Sequence, residues 1–142
     1  MADLLPNLSI GILETALCVA EVARSREFYQ RIFGFAPMQE NEGFCALNVA
    51  DRQVLLLFKI GVTLEDMKFP FGTIPGHGVT GRSHVGFSTT LAGLAGWKQR
   101  LAAAHVVIES EFTWPTGGVS IYFRDPDGHL LEFLTPGVWA NY

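Results

Sequence analysis

The chain repeats one plan of secondary structure, and this repeat constrains its fold more than any other feature. The segment 13–35, LETALCVAEVARSREFYQRIFGF, predicts a strand, a turn and an amphipathic helix. The segment 82–108, RSHVGFSTTLAGLAGWKQRLAAAHVVI, predicts the same order about 70 residues later. Hairpin-like strands follow each segment. Because a duplicated unit buries its apolar face against its copy, the surface between the copies is a natural position for a site.

Composition is typical of a compact globular protein. The chain has 142 residues, 49% hydrophobic and 17% charged, which suits one domain with a core rather than two ordinary domains. A net charge of −4 offers no basic surface to nucleic acid, and no apolar run is long enough to span a membrane. The sequence has two cysteines and no basic signal segment at its start, so we expect a reducing, cytoplasmic location.

In the first half, alternation over residues 12–19 predicts a strand with one apolar face and with Glu14 on the other. A helix is predicted over 22–33, ending before Gly34, and strands are predicted over 43–49 and 53–59. The segment 61–81 is rich in Gly and Pro but also carries Phe and Met. It is therefore predicted to be either a linker between halves or a lid over a site.

The second half repeats this order. The sequence predicts a strand over 83–88, a helix over 91–104 capped by Thr89 or Thr90, and strands over 106–110, 119–124 and 130–134. We therefore expect an α+β fold within a single domain, residues 1–142. It would be built of two βαβββ modules, about 10–60 and 82–136, joined by the loop 61–81. Their curved mixed sheets are expected to form a cup-shaped cavity.

Three groups of motifs extend over most of the chain. They are VAEVARS with FY and FGF within 19–35, SHVGF at 83–87, and DPDGHLLE at 125–132. Together they resemble the vicinal oxygen chelate superfamily, which includes glyoxalase I, extradiol dioxygenases, fosfomycin-resistance transferases and bleomycin-resistance proteins. The resemblance implies the fold, but members with very different activities share these motifs, so it does not fix the reaction.

The resemblance implies metal ligands on the first and last strand of each module, which correspond here to Glu14, about Leu57, His84 and Glu132. Leu57 cannot bind a metal, and members with three ligands also leave this position empty, typically with two histidines and one glutamate. Here Glu14 replaces the first histidine. The expected cofactor is a divalent Fe, Mn, Ni or Zn ion held by one imidazole and two carboxylates.

Each candidate residue also has an alternative role. A histidine on a strand, such as His84, is often a hydrogen-bonded structural residue, and Glu132 within LLEFL can lie on the wet face of an edge strand. Glu14 can act as a general base without binding metal. Tyr122 corresponds to a cavity-facing tyrosine of the superfamily and is a catalytic candidate for binding an oxyanion, or else a packing residue. His129 is expected to be peripheral.

These residues predict a divalent-metal-dependent enzyme of the glyoxalase or dioxygenase type. It would be a lyase, isomerase or dioxygenase that acts on a small, moderately hydrophobic organic substrate through oxygen atoms bound to the metal. Glyoxalase activity and glutathione transfer to fosfomycin are less favoured, because Leu57 removes a ligand and few anion-binding residues are evident. The alternative is metal-free sequestration of a small molecule, as in the bleomycin-resistance branch.

We also expect a homodimer, because βαβββ units leave exposed sheet edges. In a swapped dimer, Glu14 of one copy would meet His84 and Glu132 of the other, whereas an unswapped dimer would keep the three in one chain. The sequence leaves both arrangements open.

Overall fold

The computed structural model describes residues 9, 11–78 and 80–142, and the predicted repeat of βαβββ is present in it. The first module consists of β1 (Glu14–Val19), α1 (Val22–Phe33), β2 (Pro37–Asn41), β3 (Phe44–Val49) and β4 (Gln53–Lys59). A hairpin follows, formed by β5 (Met67–Phe69) and β6 (Gly72–Ile74). The second module consists of β7 (His84–Ser88), α2 (Leu91–Ala103), β8 (Ser110–Thr113), β9 (Val119–Arg124) and β10 (Leu130–Leu134).

Each module forms a four-stranded mixed sheet of the same topology, with orders β1-β4-β3-β2 and β7-β10-β9-β8. The first and last strands of each module pair in parallel, and the other pairs are antiparallel. This confirms the α+β class. Both β1 and β7, the strands that carry the first candidate ligands, therefore lie at a sheet edge.

The two helices begin and end as their local sequences predict. The large apolar side chains of the amphipathic helix α1 are buried, and Gly34 ends that helix with φ 75°, donating its N–H to Gln30 O. The hydroxyl of Thr90, one of the two caps predicted for α2, accepts from the N–H of Gly93 at 2.9 Å.

Alternate residues of both sheets are buried in one common core. In the first sheet, Leu17, Val19, Leu55 and Leu57 contribute to it, and residues 121, 123, 131 and 133 contribute from the second. Phe33 of α1 joins the modules, because its ring lies against rings of β7, α2 and β10. Since side chains alternate along a strand, the opposite faces of the two sheets point away from this core.

Three predicted segments differ from the structure. Strand β2 was not predicted, because PMQEN is exposed along its length and has no apolar alternation. The strand predicted over 106–110 is wrong: Val106 and Ile108 pack against the core without pairing, and β8 begins only at Ser110. The segment 61–81 contains the β5–β6 hairpin rather than an irregular loop alone.

His129 is buried at the junction of the modules, so the prediction that it is peripheral is wrong. Only 1% of the residue is exposed. Its Nδ1 accepts the N–H of Ser83 at 2.9 Å, and its Nε2 donates to the carbonyl oxygen of Cys18 at 2.8 Å. The ring thus connects the end of β1 to the residue that precedes β7.

The turn before His129 adds further contacts between the modules. Asp125 Oδ1 accepts backbone N–H groups within the turn, and Oδ2 accepts the hydroxyl of Tyr29 at 2.8 Å. Asp127 Oδ1 accepts the N–H of Ala20 at 2.8 Å. The turn that the sequence predicts as a local reversal therefore also binds the segment between β1 and α1.

We predict that Tyr29→Phe lowers the free energy of unfolding by about 1–3 kcal/mol at neutral pH, because buried Asp125 Oδ2 loses its donor. Burial raises the pKa of Asp125, and the hydrogen bond from Tyr29 opposes that rise by stabilising the charged form. The deficit should therefore be largest above the pKa of Asp125 and shrink as pH falls through it. Urea unfolding across this pH range measures both effects.

The matched control is Tyr142→Phe, which removes an exposed hydroxyl that donates to Thr89 O at 2.9 Å. Its deficit should stay within about 0.5 kcal/mol at every pH. Equal deficits for the two variants, or a Tyr29→Phe deficit that does not depend on pH, would contradict the role assigned to the Tyr29 bond.

Candidate functional site

The structure brings two of the predicted ligands into direct contact on the outward face of the second sheet. His84 Nε2 lies 3.1 Å from Glu132 Oε1. The Glu132 side chain is only 8% exposed, while that of His84 is 50% exposed. Parallel pairing of β7 with β10 produces this contact, since both residues lie on the face opposite the core.

The other ring nitrogen of His84 is fixed by the backbone. His84 Nδ1 lies 2.9 Å from the carbonyl oxygen of Leu130, which can only accept, so Nδ1 carries a proton. In a neutral imidazole, Nε2 is then an acceptor that faces the carboxylate of Glu132, which is a second acceptor. Two acceptors at this distance require a proton or a metal ion between them or beside them. The imidazole nitrogen and the carboxylate oxygen therefore form a pair of ligands that fits a divalent cation.

Tyr122 adjoins this pair. It lies opposite Glu132 in the antiparallel ladder of β9 and β10, and the centre of its ring is 6.4 Å from that of His84. Burial, and next the neighbouring Glu132 carboxylate, raise the pKa of Tyr122. The phenol is consequently a hydrogen-bond donor at neutral pH.

Gly86 keeps space open beside the carboxylate. It lies opposite Glu132 in the parallel ladder, and a Cβ built on it would lie 3.0 Å from Leu134 Cδ2 and 3.8 Å from Glu132 Oε1. Any side chain at this position would thus intrude on the space next to the His84–Glu132 pair.

Glu14 is on a different surface of the same chain. It lines a cavity of about 870 Å³ on the outward face of the first sheet, whereas His84 and Glu132 line another of about 670 Å³. The two cavities share none of their lining residues. Within residues 9, 11–78 and 80–142, no three His, Cys, Asp or Glu side chains are grouped so as to hold a metal ion. Glu14 and the His84–Glu132 pair therefore lie in separate cavities within the described part of one chain.

The strand register corrects the assignment of Leu57 as the counterpart of Glu132 in the first module. In the second module, Glu132 lies opposite the residue two positions after His84. In the first module, the residue two positions after Glu14 lies opposite Leu56. The counterpart of Glu132 is therefore Leu56, which lines the Glu14 cavity, and not Leu57, which is fully buried in the core. Leucine cannot bind a metal, so this position still supplies no ligand.

Comparison with known proteins agrees with the motifs and the topology. A family model described as the Glyoxalase/Bleomycin resistance protein/Dioxygenase superfamily matches residues 11–133. A curated relative, metallothiol transferase FosB of Shouchella clausii (strain KSM-K16), is 27% identical over 127 residues, which are 88% of this chain and 80% of that protein.

Solved structures give the same result. The lactoylglutathione lyase from Agrobacterium tumefaciens superposes with a TM-score of 0.86 at 30% identity, covering 94% of this chain and 99% of that one. The fosfomycin resistance protein FosX from Listeria monocytogenes superposes with a TM-score of 0.68, covering 92% and 97% of the two chains. At 20% identity, FosX shows the fold alone. FosB and the lactoylglutathione lyase are named as enzymes.

The two helices of the structure span 12 and 13 residues. Over the part of the chain that it describes, neither α1 nor α2 has the length and apolar character that a crossing requires.

Proposed function

We propose, since this chain belongs to the Glyoxalase/Bleomycin resistance protein/Dioxygenase superfamily, that it is a divalent-metal-dependent enzyme acting on a small organic substrate. The observation that carries the proposal is the pair of His84 Nε2 and Glu132 Oε1 at 3.1 Å, with Nδ1 already occupied by a backbone carbonyl. The reaction is a lyase, isomerase or dioxygenase reaction of this superfamily. Two relatives are named as a lyase and a transferase, which supports enzymatic activity.

His84 and Glu132 would hold the ion together with Glu14 of a second copy of the chain. Within one copy, the shared core turns the two faces away from each other, so the third ligand must come from elsewhere. A bound divalent Fe, Mn, Ni or Zn ion supplies positive charge that stabilises negative charge developing on substrate oxygen atoms.

A swapped homodimer is the arrangement that meets this requirement. Among the described residues, β1 and β7 are end strands of their sheets, and two apolar side chains just before β1, Ile12 and Leu13, are 80% and 60% exposed. Pairing of these edges between copies would cover apolar surface and bring Glu14 towards the opposite pair.

The remaining side chains have roles that follow from their protonation and position. Tyr122, kept protonated, donates a hydrogen bond to an oxygen atom of the substrate bound beside Glu132. Gly86 leaves room for that atom. If Glu14 takes no part in holding the ion, its carboxylate would instead act as the base that accepts a proton from the substrate.

We predict that His84→Ala and Glu132→Gln each weaken divalent-metal binding by more than about 100-fold, because loss of a direct ligand exceeds the 10–100-fold typical of outer partners. Equilibrium dialysis against Mn²⁺ and Zn²⁺ with elemental analysis measures this. The controls His105→Asn and Glu27→Gln change exposed residues outside both cavities and should leave affinity unchanged.

Two results would overturn the metal site. One is wild-type protein that takes up less than about a tenth of an equivalent of Fe, Mn, Ni or Zn, which would favour metal-free sequestration. The other is retention of the ion by both His84→Ala and Glu132→Gln while their unfolding curves match the wild type.

We further predict that a heterodimer of Glu14→Ala and His84→Ala chains binds one metal ion, although each homodimer binds none. In a swapped dimer, Glu14 of the His84→Ala chain and His84 of the Glu14→Ala chain form one intact site, while the other site loses both residues. Co-expression with two different affinity tags isolates the heterodimer, and elemental analysis counts its ions.

In an unswapped dimer, every site of this heterodimer lacks one ligand. A tagged wild-type dimer, prepared in the same way, should retain two ions. If the heterodimer binds no metal tightly while this control does, the swapped arrangement is excluded. The proposal that His84 and Glu132 bind metal would still stand.

A further inference from the structure

The Glu14 cavity has an apolar wall on two sides. One side is the outward face of the first sheet, where Leu56, Phe58 and Phe44 lie beside Glu14. The other side is the β5–β6 hairpin, whose inward side chains are Met67, Phe69 and Ile74. At about 870 Å³, the cavity is within the size range of pockets that bind small organic molecules.

Hydrogen bonds close the base of the hairpin. Asp66 Oδ1 accepts the N–H of Gly76 at 2.9 Å, and the carbonyl oxygen of buried Thr63 accepts the N–H groups of His77 and Gly78, each at 2.9 Å. A Cβ on Gly76 would lie 2.9 Å from backbone atoms of residues 64 and 65. The base of the hairpin therefore tolerates no side chain there, which indicates a built wall rather than a loose loop.

The charge of this cavity is negative. Among its described lining residues, Glu14 is the one Asp, Glu, Lys or Arg, and the polar groups around it are Gln39, Asn41, Thr63 and His77. The residues that the structure does not describe add no Lys or Arg to the chain. An anionic ligand would meet a like charge at Glu14, which is exposed, and this repulsion would favour an uncharged ligand.

The proposed metal set points the same way. Two carboxylates, Glu14 and Glu132, neutralise both positive charges of a divalent ion. A set of two histidines and one carboxylate leaves the metal site with a net charge of about +1, which an anionic substrate could neutralise. Lactoylglutathione, the compound in the name of the Agrobacterium lyase, is an anionic peptide conjugate. The Glu14 cavity offers such a molecule no cationic side chain among the residues described.

We propose that the Glu14 cavity binds the apolar part of an uncharged organic substrate, between the sheet face at Phe58 and the hairpin at Phe69, and selects against anions. Hydrogen-bond donors of the substrate would point to Glu14. This inference rests on the proposed function for the turnover of the molecule, but its binding does not require the metal.

A matched pair of fluorescent probes tests the proposal on the full-length protein in the presence of chelator. N-phenyl-1-naphthylamine is uncharged, and 8-anilinonaphthalene-1-sulfonate has the same skeleton with one added sulfonate. We expect the uncharged probe to bind at least about tenfold more tightly, and Glu14→Gln to reduce this ratio to about threefold or less by removing the repulsion. The control Glu27→Gln should leave the ratio unchanged.

A second pair of variants locates the binding. Phe69 and Phe112 are similarly exposed, at 42% and 47%, but only Phe69 lines the Glu14 cavity. Phe69→Ala should weaken binding of the uncharged probe about tenfold, and Phe112→Ala should change it by less than about twofold. Equal effects of the two variants would place the probe elsewhere and overturn the proposal, as would a probe ratio that Glu14→Gln leaves unchanged.

Probe binding and metal uptake are measured separately, because the probes are bound in the presence of chelator. Failure of metal uptake with normal probe selectivity would reject the proposed metal function alone. Normal metal uptake without probe selectivity would reject the substrate class alone.

Discussion

Burial of one face of each sheet in a common core is the constraint on which the rest of the molecule depends. Leu17 and Leu57 of the first sheet and Phe133 of the second are in this core, with Phe33 between the modules. Because strand residues alternate, this burial turns Glu14 and His84 outward on different surfaces. Hydrophobic packing within the chain thereby separates residues that the repeat makes equivalent, and a site that uses both must form between copies.

The DPDG turn shows that a motif which identifies a fold can serve packing rather than chemistry. His129 bonds to Cys18 O at the end of β1 and to Ser83 N just before His84. Asp125 and Asp127 bind Tyr29 and Ala20 around the same junction. These bonds set the positions of β1 and β7 relative to each other. The turn therefore acts on the candidate site indirectly, through the strands that carry its ligands.

The sequence predicted the bounds of elements that depend on local patterns. It did not predict the roles of residues that depend on tertiary contacts. Alternation and caps were sufficient for β4, α1, β9 and β10, whose bounds match the prediction. The buried role of His129 depends on partners far away in the sequence, so local pattern could not reveal it. The assignment of Leu57 instead of Leu56 was wrong by one residue, and in a strand one residue exchanges the cavity face for the core face.

The proposed substrate preference depends on two positions, Glu14 and Leu56. Glu14 adds a negative charge where the superfamily pattern has a neutral imidazole, and Leu56 places an apolar side chain in the ladder opposite Ala16. Both side chains line the same cavity, and a carboxylate beside an apolar wall would favour an uncharged apolar molecule over an anion. Since the shared fold and the His84–Glu132 pair leave the substrate open, the side chains at these two positions are the basis on which we propose how this chain differs from its relatives.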